Sequence, residues 1–259
     1  MGTTQWVNSR TDQELLRDYS GCQSEDAFAE LVRRHVDFVY SVAVRLVRDT
    51  HLAEDVTQGV FVALAQNAQP LIDCTVLAGW LHRTTRNIAA KAIRSDARNR
   101  VRAQEAAAMN VVISAATDSP WEHLAPHLDA ALAELTESDR DILLLRYFQK
   151  RDFQTVGRTL GVTDDTAQKR VSRAVERLRE SLAKRGITIG ASGLIVVISA
   201  NAVQVAPVGL TVTISSAVAL AGTTIVTTAT TTASKALAMT SLQKTVIGAT
   251  LVAAISVGI

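Results

Sequence analysis

The chain has 259 residues, of which 47% are hydrophobic and only 4% aromatic, a composition that favours helices over a β-sandwich. Its length allows one large domain or two small ones, and its net charge of +2 is nearly neutral. The polar start, with Arg10 and Asp12, argues against a cleavable secretory signal, and the widely separated Cys22 and Cys74 predict reduced cytosolic thiols rather than a metal site.

Four helical segments are predicted between residues 11 and 102. The first covers 11–20, and the second is a long helix whose apolar residues recur at spacings of three and four: Phe28, Val32, Val36, Val39, Ala43 and Leu46. The third, AEDVTQGVFVAL over 53–64, has one apolar face, and Gly59 interrupts it. Its other face carries Glu54, Asp55 and Gln58, which by themselves indicate a solvated surface.

The fourth segment, AGWLHRTTRNIAAKAIRSDARNRVR, is strongly basic. Residues 81–102 contain seven Lys or Arg against one Asp or Glu, whereas residues 1–80 contain six against eleven. A run of arginines on a helix is usually a solvated face. Trp80, His82 and the neighbouring threonines add groups that could stack on or hydrogen-bond to bases, so single-stranded nucleic acid is the other interpretation.

A second helical unit is predicted over 125–186, after an alanine-rich and turn-forming linker at 103–124. Thr136 is expected to cap the first helix of LTESDRDILLLRYF. FQTVGRTL and DDTAQKRVSRAVERLRESLAKR follow, and between them Gly161 suits a helix end and Thr163 the next helix start. A short helix, a tight turn and a longer basic helix indicate a helix-turn-helix.

The longer helix separates an apolar face from a basic one. Ala167, Val171 and Leu178 belong to its predicted buried face, whereas Lys169 and Arg173 lie four residues apart on the exposed face. The N-terminal half of such a helix enters the major groove of DNA, where these side chains can contact bases and phosphates. A helical hairpin that merely exposes charge is the alternative.

Taken together, these segments resemble a known family. AFAELVRRHVDFVYSVAVRLV, AEDVTQGVF and WLHRTTRNIAAKAIR are similar to region 2 of extracytoplasmic-function (ECF) sigma factors, in the sigma-70 family of RNA polymerase sigma factors. LTESDRDILLLRYFQKRDFQTVGRTLGVTDDTAQKRVSRAVERLRESL resembles region 4 of the same family. The resemblance covers about residues 11–186. It implies an all-α protein with two small helical domains joined by a linker, and a transcription initiation factor without catalysis of its own.

The resemblance also assigns candidate residues. In the D-x-x-Q-x-x-F pattern, Asp55, Gln58 and Phe61 would bind the clamp helices of the largest subunit of core RNA polymerase, and Gly59 stands where the family usually has an acid. The −10 promoter element would be read by Trp80, Arg83, Arg86, Asn87, Lys91, Arg94 and Arg98. The −35 element would be read by Thr166, Gln168, Lys169, Arg170 and Arg173. Promoter DNA, core polymerase and an inhibitory regulator are the expected partners.

A hydrophobic extension, residues 187–259, departs from this pattern. Residues 187–234 contain no Asp, Glu, Lys or Arg. The run is interrupted by Asn201, Gln204 and Pro207, and the final apolar stretch from Val246 has 14 residues against roughly 20 for a membrane crossing. The extension is either a helical cap on the other domains or a membrane anchor. We expect the anchor, on an otherwise cytoplasmic protein.

Two other functions would explain only part of this sequence. A helix-turn-helix regulator that is not a polymerase subunit would explain residues 136–185 but leaves the first bundle without a role. A membrane enzyme or transporter fragment would need a nucleophile, a pair of catalytic acid and base side chains, or a metal cluster. The sequence contains no such arrangement. The five histidines lack ligand spacing and there is no glycine-rich phosphate loop, so no cofactor is expected.

Overall fold

The computed structural model describes residues 10–104 and 119–223, and every regular element in those two ranges is a helix. We call residues 12–104 the first domain. Its helices are α1 (Asp12–Cys22), α2 (Glu25–Val47), α3 (Thr50–Gln66), α4 (Ala68–Leu71) and α5 (Leu77–Gln104). The long α2 packs against α1, α3 and α5, so it forms the centre of this bundle.

Residues 120–183 form the second domain. Its helices are α6 (Pro120–Glu134), α7 (Glu137–Leu143), α8 (Phe153–Leu160) and α9 (Asp164–Ala183), with a π-helical turn at Leu144–Phe148. The extension adds α10 (Ala191–Asn201) and α11 (Leu210–Thr223). The all-α prediction is therefore confirmed for the described residues.

Side-chain caps explain where several helices begin. Thr11 forms a capping box with Glu14, and in the second domain the Thr136 and Thr163 hydroxyls accept bonds from the third backbone N–H of their helices. Gly161 ends α8 in the left-handed region at φ 65°, where a side chain would be strained. The predicted caps at Thr136, Gly161 and Thr163 are confirmed.

The predicted linker is too long at its C-terminal side. Helix α6 begins at Pro120, five residues before the predicted start of the second unit, and Leu124 is already buried. Proline at the first helical position has a suitable φ and needs no hydrogen-bond partner for its nitrogen, so "DSPW" starts the helix rather than extending a loop. Residues 105–118 lie outside the described residues.

The two domains pack against each other. Helix α6 contacts α2, and α5 contacts both α7 and the π-helical turn. All described residues through Gly222 belong to one compact unit. This shared interface was not predicted from the sequence.

The described part of the extension also packs on these domains. Helix α10 contacts α6, α9 and the π-helical turn, and its side chains Leu194 and Ile198 are buried. In α11, Leu210 and Ile214 are buried one turn apart. Among the described helices none combines the length and apolar character that a membrane crossing needs. The apolar stretch from Val246 lies outside the described residues.

Candidate functional site

The three residues predicted to bind core polymerase do not share one surface. On α3, Asp55 is exposed and Gln58 is half-buried, but Phe61 is 0% exposed. The prediction of a direct partner contact is therefore corrected for Phe61, because its ring lies in the core of the first domain. Its role in this conformation is to hold α3 in place beneath Asp55 and Gln58.

Gly59 faces the neighbouring helix α5. A Cβ at this position would lie 3.5 Å from a methyl group of Ile88, an ordinary van der Waals separation. If the acid that the family usually has were at this position, its Cβ would contact the apolar side chain of Ile88. The absence of an acid at this position fits the local packing.

The basic surface of α5 changes along the helix. Asn87, Lys91, Arg94 and Arg98 are exposed, whereas Trp80, Arg83 and Arg86 are half-buried. Arg83 forms an ion pair with Glu137 at the start of α7, in the second domain. Within the described residues Arg86, Lys91, Arg94 and Arg98 have no ion pair. The C-terminal part of this surface is therefore open to a polyanion, and its start is engaged by the second domain.

His82 does not belong to this surface. It is fully buried, and its Nε2 lies 3.1 Å from Asp129 Oδ1 of α6. It therefore contributes to the domain interface, and the interpretation of His82 as a group that contacts bases is wrong for this structure.

Helix α9 presents the predicted −35 residues on its open face. Gln168, Lys169, Arg170 and Arg173 are all exposed. Gln168, Lys169 and Arg173 line one shallow depression with Asp165 and Ser172. Over the described ranges neither Lys169, Arg170 nor Arg173 pairs with a carboxylate. Three unpaired cations on one helix face form a surface suited to DNA phosphates and base edges.

Thr166 has a different local role. Its hydroxyl lies 2.9 Å from the hydroxyl of Thr163, and its backbone N–H donates to that same residue at the helix cap. The side chain is half-buried. Its assignment to the −35 element stays a prediction, and its observed contact stabilises the first turn of α9.

A buried ion pair joins the two domains. Arg45 of α2 donates from Nε to Asp129 Oδ2 at 2.7 Å and from Nη2 to Asp129 Oδ1 at 3.1 Å. Arg45 and Asp129 side chains are 7% and 2% exposed. Although burial raises the pKa of Asp129, the charges and hydrogen bonds of Arg45 and His82 outweigh burial and hold it well below its usual range.

Sequence reasoning missed this pair, although a signal was present. Asp129 stands in the apolar stretch "HLDAALAEL", between Leu128 and Leu132, which are both fully buried. An acid on a buried helix face needs a counter-charge, because an unpaired buried carboxylate is very costly. Periodicity could have indicated that a cation was missing, but it could not identify Arg45.

Close packing at a second point of the interface affects Asp141 of α7. A Cβ at Gly79 would collide with the Asp141 carboxylate, so a larger residue at this position would require the Asp141 side chain to move. Burial raises the pKa of Asp141 to about 6, with Glu137 also raising it, and Arg140 and Arg83 only partly oppose this shift. Among the residues that the structure describes, the Oδ1 atom of Asp141 finds no hydrogen-bond partner.

No metal site was found in the described part of the chain, where no three His, Cys, Asp or Glu side chains converge. The arrangement instead offers an exposed basic helix, a second basic helix partly engaged at the interface, and a short polar face on α3. All three expose charged or polar side chains.

Comparison with known proteins matches both domains. The family model for sigma-70 region 2 matches residues 31–99, and the one for sigma-70 region 4 matches residues 131–180. The RNA polymerase sigma factor CarQ of Myxococcus xanthus is 30% identical over 159 residues, which cover 61% of this chain and 91% of CarQ.

Two further similarities are more limited. The ECF RNA polymerase sigma factor SigE of Mycolicibacterium smegmatis is 34% identical over 163 residues, covering 60% of this chain and 61% of SigE, so the chain spans less than two thirds of that relative. A solved structure of the sigma factor RpoE in complex with the anti-sigma factor NepR from Bartonella quintana is 22% identical. It covers 60% of this chain and 96% of that one with a TM-score of 0.30.

Proposed function

Because the chain belongs to the ECF subfamily of the sigma-70 family of RNA polymerase sigma factors, we propose that it binds core RNA polymerase and directs promoter-specific transcription initiation. The observation that carries this proposal is the presence of both regions, in order, on one chain. A regulator with only a helix-turn-helix would not require the region 2 match over 31–99. The proposed role is that of a specificity subunit in the cytoplasm.

Core polymerase would bind at α3. Asp55 and Gln58 supply a carboxylate and an amide on the accessible side of the helix. Buried Phe61 packs in the core and fixes the orientation of α3. A polar patch of this kind suits hydrogen bonds with a charged partner helix. The proposed contact is consequently centred on Asp55 and Gln58.

The −10 element would bind along α5. The exposed Asn87, Lys91, Arg94 and Arg98 form a basic strip, and Trp80 offers an aromatic ring near its start. Phosphate contacts from the cations would position a separated DNA strand, while stacking would favour unpaired bases. Arg83 and Arg86 extend the strip once the Arg83–Glu137 pair is broken.

The −35 element would bind at α9. In a helix-turn-helix the N-terminal part of the second helix lies in the major groove, and Gln168, Lys169, Arg170 and Arg173 are exposed there. Thr166 lies at the same end. Arginine and lysine can bind guanine edges, and glutamine can bind adenine.

Run-off transcription with purified core polymerase tests the proposal. Templates would be selected from a random promoter library by the reconstituted holoenzyme. We expect transcripts that start at one position and require both the chain and the selected sequence. A regulator that is not a polymerase subunit would leave core polymerase without promoter-dependent initiation, and that result would refute the proposal.

A double variant tests the polymerase surface. Asp55→Ala with Gln58→Ala should weaken core binding in a pull-down titration without changing affinity for −35 DNA. His51→Ala, at an exposed position near the start of the same helix, is the matched control. Unchanged core affinity in the double variant would mean that this polar face is a solvated surface that does not bind core polymerase.

Two finer expectations belong to this proposal. An inhibitory regulator would act by covering α3 or the basic helices.

Membrane attachment by the extension stays a prediction for residues 224–259. Fractionating cells that express the full chain tests it: an anchor would place the protein in the membrane pellet, and recovery only in the supernatant would exclude one.

A further inference from the structure

We propose that residues 187–218 of the extension, which we call the docked segment, inhibit this sigma factor intramolecularly. By binding both domains at once, the docked segment would keep them together and must leave before core polymerase and both promoter elements are engaged. This inference rests on the proposed function, since it concerns regulation of the same surfaces.

The docked segment binds one face of α2 through its backbone. Asp37, Ser41 and Arg45 follow one another at spacings of four, which places them in one row on that helix. The Ala206 N–H donates to Asp37 Oδ1 at 2.9 Å, and the Gln204 N–H donates to Ser41 Oγ at 2.8 Å. These bonds satisfy backbone groups of the stretch between α10 and α11.

Arg45 connects three parts of the molecule. Its Nη1 donates to the Ala202 carbonyl at 2.6 Å, while its other nitrogens bind Asp129 of the second domain. The same guanidinium therefore holds the domain interface and the docked segment. Removing the segment takes one partner from this buried cation, so docking and domain closure are coupled.

On the second domain the docked segment is held by apolar contact. Leu194 and Ile198 of α10 are 0% and 3% exposed. They line a common site with side chains of the second domain, namely Leu143, Tyr147, Phe148, Val175 and Leu178. Burying these two side chains stabilises docking, because it removes their apolar surface from water.

The docked segment also reaches the proposed polymerase surface. Gln58 Nε2 donates to Thr213 Oγ1 of α11 at 3.4 Å. The bond is long, so its importance lies in position rather than strength. A partner helix that uses Gln58 would meet α11 at the same place.

Closure also conflicts with simultaneous promoter recognition. The −10 and −35 elements are about 25 base pairs apart, or about 85 Å along B-DNA. A compact unit of about 200 residues has a radius of gyration of about 16–17 Å, which corresponds to a sphere only about 43 Å across. The two domains must separate to contact both elements, and a segment attached to both opposes that separation.

A reversible disulfide in the full chain tests the inference. Ser41 Oγ lies 2.8 Å from the Gln204 nitrogen. Standard covalent lengths then keep the two Cα atoms within about 6.7 Å, a separation that a disulfide can bridge. Ser41→Cys and Gln204→Cys would be introduced with Cys22→Ser and Cys74→Ser, because both native cysteines are free.

Locking the docked segment should weaken binding to core polymerase at least tenfold, and dithiothreitol should restore it. The Cys22→Ser, Cys74→Ser protein, carried through the same oxidation and reduction, is the control and should bind equally in both states. Equal core affinity of the locked and reduced forms would contradict inhibition and overturn the inference. If the disulfide does not form, the comparison of Leu194→Asp with Val196→Asp decides.

Releasing the docked segment should have the opposite effect. Leu194→Asp places a charge in the apolar site, whereas Val196→Asp, on the same helix at 66% exposure, does not. Core affinity should rise several-fold for Leu194→Asp alone, with faster hydrogen exchange in α10. If exchange rises but core affinity does not, docking is real and inhibition is refuted.

The outcomes separate this inference from the proposed function. If no form of the chain, reduced or released, binds core polymerase, the proposed function is refuted and the inference falls with it. If all forms bind core polymerase equally and initiate transcription, only the inference is refuted. Should Leu194→Asp fail to fold, the disulfide variant still decides.

Discussion

The basic faces of α9 and α5 belong to the same compact unit but differ in what they are bound to. On α9, Lys169, Arg170 and Arg173 are exposed and make no ion pair within the described ranges. On α5, Arg83 pairs with Glu137 of the second domain, and His82 is buried against Asp129. One surface is accessible in this structure, and the other is partly used to hold the domains together.

The two basic faces therefore differ in their accessibility. The α9 surface can meet duplex DNA without any rearrangement, whereas the start of α5 becomes available only when the second domain moves away. The same holds for Gln58, which contacts the docked segment. In this structure the proposed −35 face of α9 is therefore exposed, whereas the start of the proposed −10 face on α5 is engaged by the second domain.

The largest expected effect comes from breaking the domain interface. Asp129→Ala would leave Arg45 buried without its counter-charge, and we expect unfolding stability to fall by about 3–5 kcal/mol. Urea unfolding followed by circular dichroism measures the change. Asp18→Ala removes an exposed ion pair with Arg10 and should cost at most about 1 kcal/mol. Similar losses in both variants would contradict the buried pair's importance.

The α9 surface should show a smaller, DNA-specific effect. Lys169→Ala or Arg173→Ala should weaken binding to a selected −35 duplex by about 1–3 kcal/mol where a base contact is lost, and relax preference at one position. A lost phosphate contact would instead weaken all sequences and reduce the salt dependence. Fluorescence anisotropy at two salt concentrations distinguishes these cases.

Arg179→Ala is the matched control on the same helix. It removes the same charge, but Arg179 is paired with Glu176 at 2.7 Å. DNA affinity should change little. An equal loss for Arg179→Ala and Arg173→Ala would mean that net charge, rather than this face, determines binding.

The interface should also respond to pH through Asp141. Its pKa is raised from 3.8 to about 6 by burial, so the folded state binds a proton more readily than the unfolded state between these values. Its contribution to stability is therefore greatest below about pH 4 and is lost as pH rises through about 6. Asp141→Asn should remove this loss of stability with rising pH, because asparagine does not titrate.

Comparing wild type with Asp141→Asn isolates that contribution from other carboxylates. The difference in unfolding free energy should be small at pH 4 and favour the variant above pH 6 by at most about 3 kcal/mol. A difference independent of pH would mean that Asp141 is not displaced from its ordinary pKa.

The smallest effect concerns two glycines in the first domain. Gly59→Ala should stabilise the fold by about 0.5–1 kcal/mol, because its Cβ meets Ile88 at an ordinary 3.5 Å and the helix gains propensity. Gly79→Ala should destabilise it, since the new Cβ collides with Asp141. Thermal unfolding of both variants shows whether each substitution raises or lowers stability. A loss of stability for Gly59→Ala would contradict this packing.

Much of the local structure followed from short patterns. The caps at Thr136 and Thr163 and the helix end at Gly161 depend on side chains and dihedral angles within a few residues. The exposed face of α9 followed from the four-residue spacing of Lys169 and Arg173. Phe61 is the instructive failure: its motif indicated a partner contact, but its position on the apolar face of α3 places it in the core.

By itself, the sequence determined the helical class, the order of the two domains, the helix-turn-helix and the family, since these depend on periodicity, caps and motifs that are local in the chain. Only the tertiary structure decided that Asp129 meets both Arg45 and His82, that Asp141 packs against Gly79, and that Ala202 and Thr213 of the extension contact α2 and α3. Those contacts join residues 47 to 157 positions apart. No local pattern specifies a partner at such separation, because it is chosen by how whole helix faces pack.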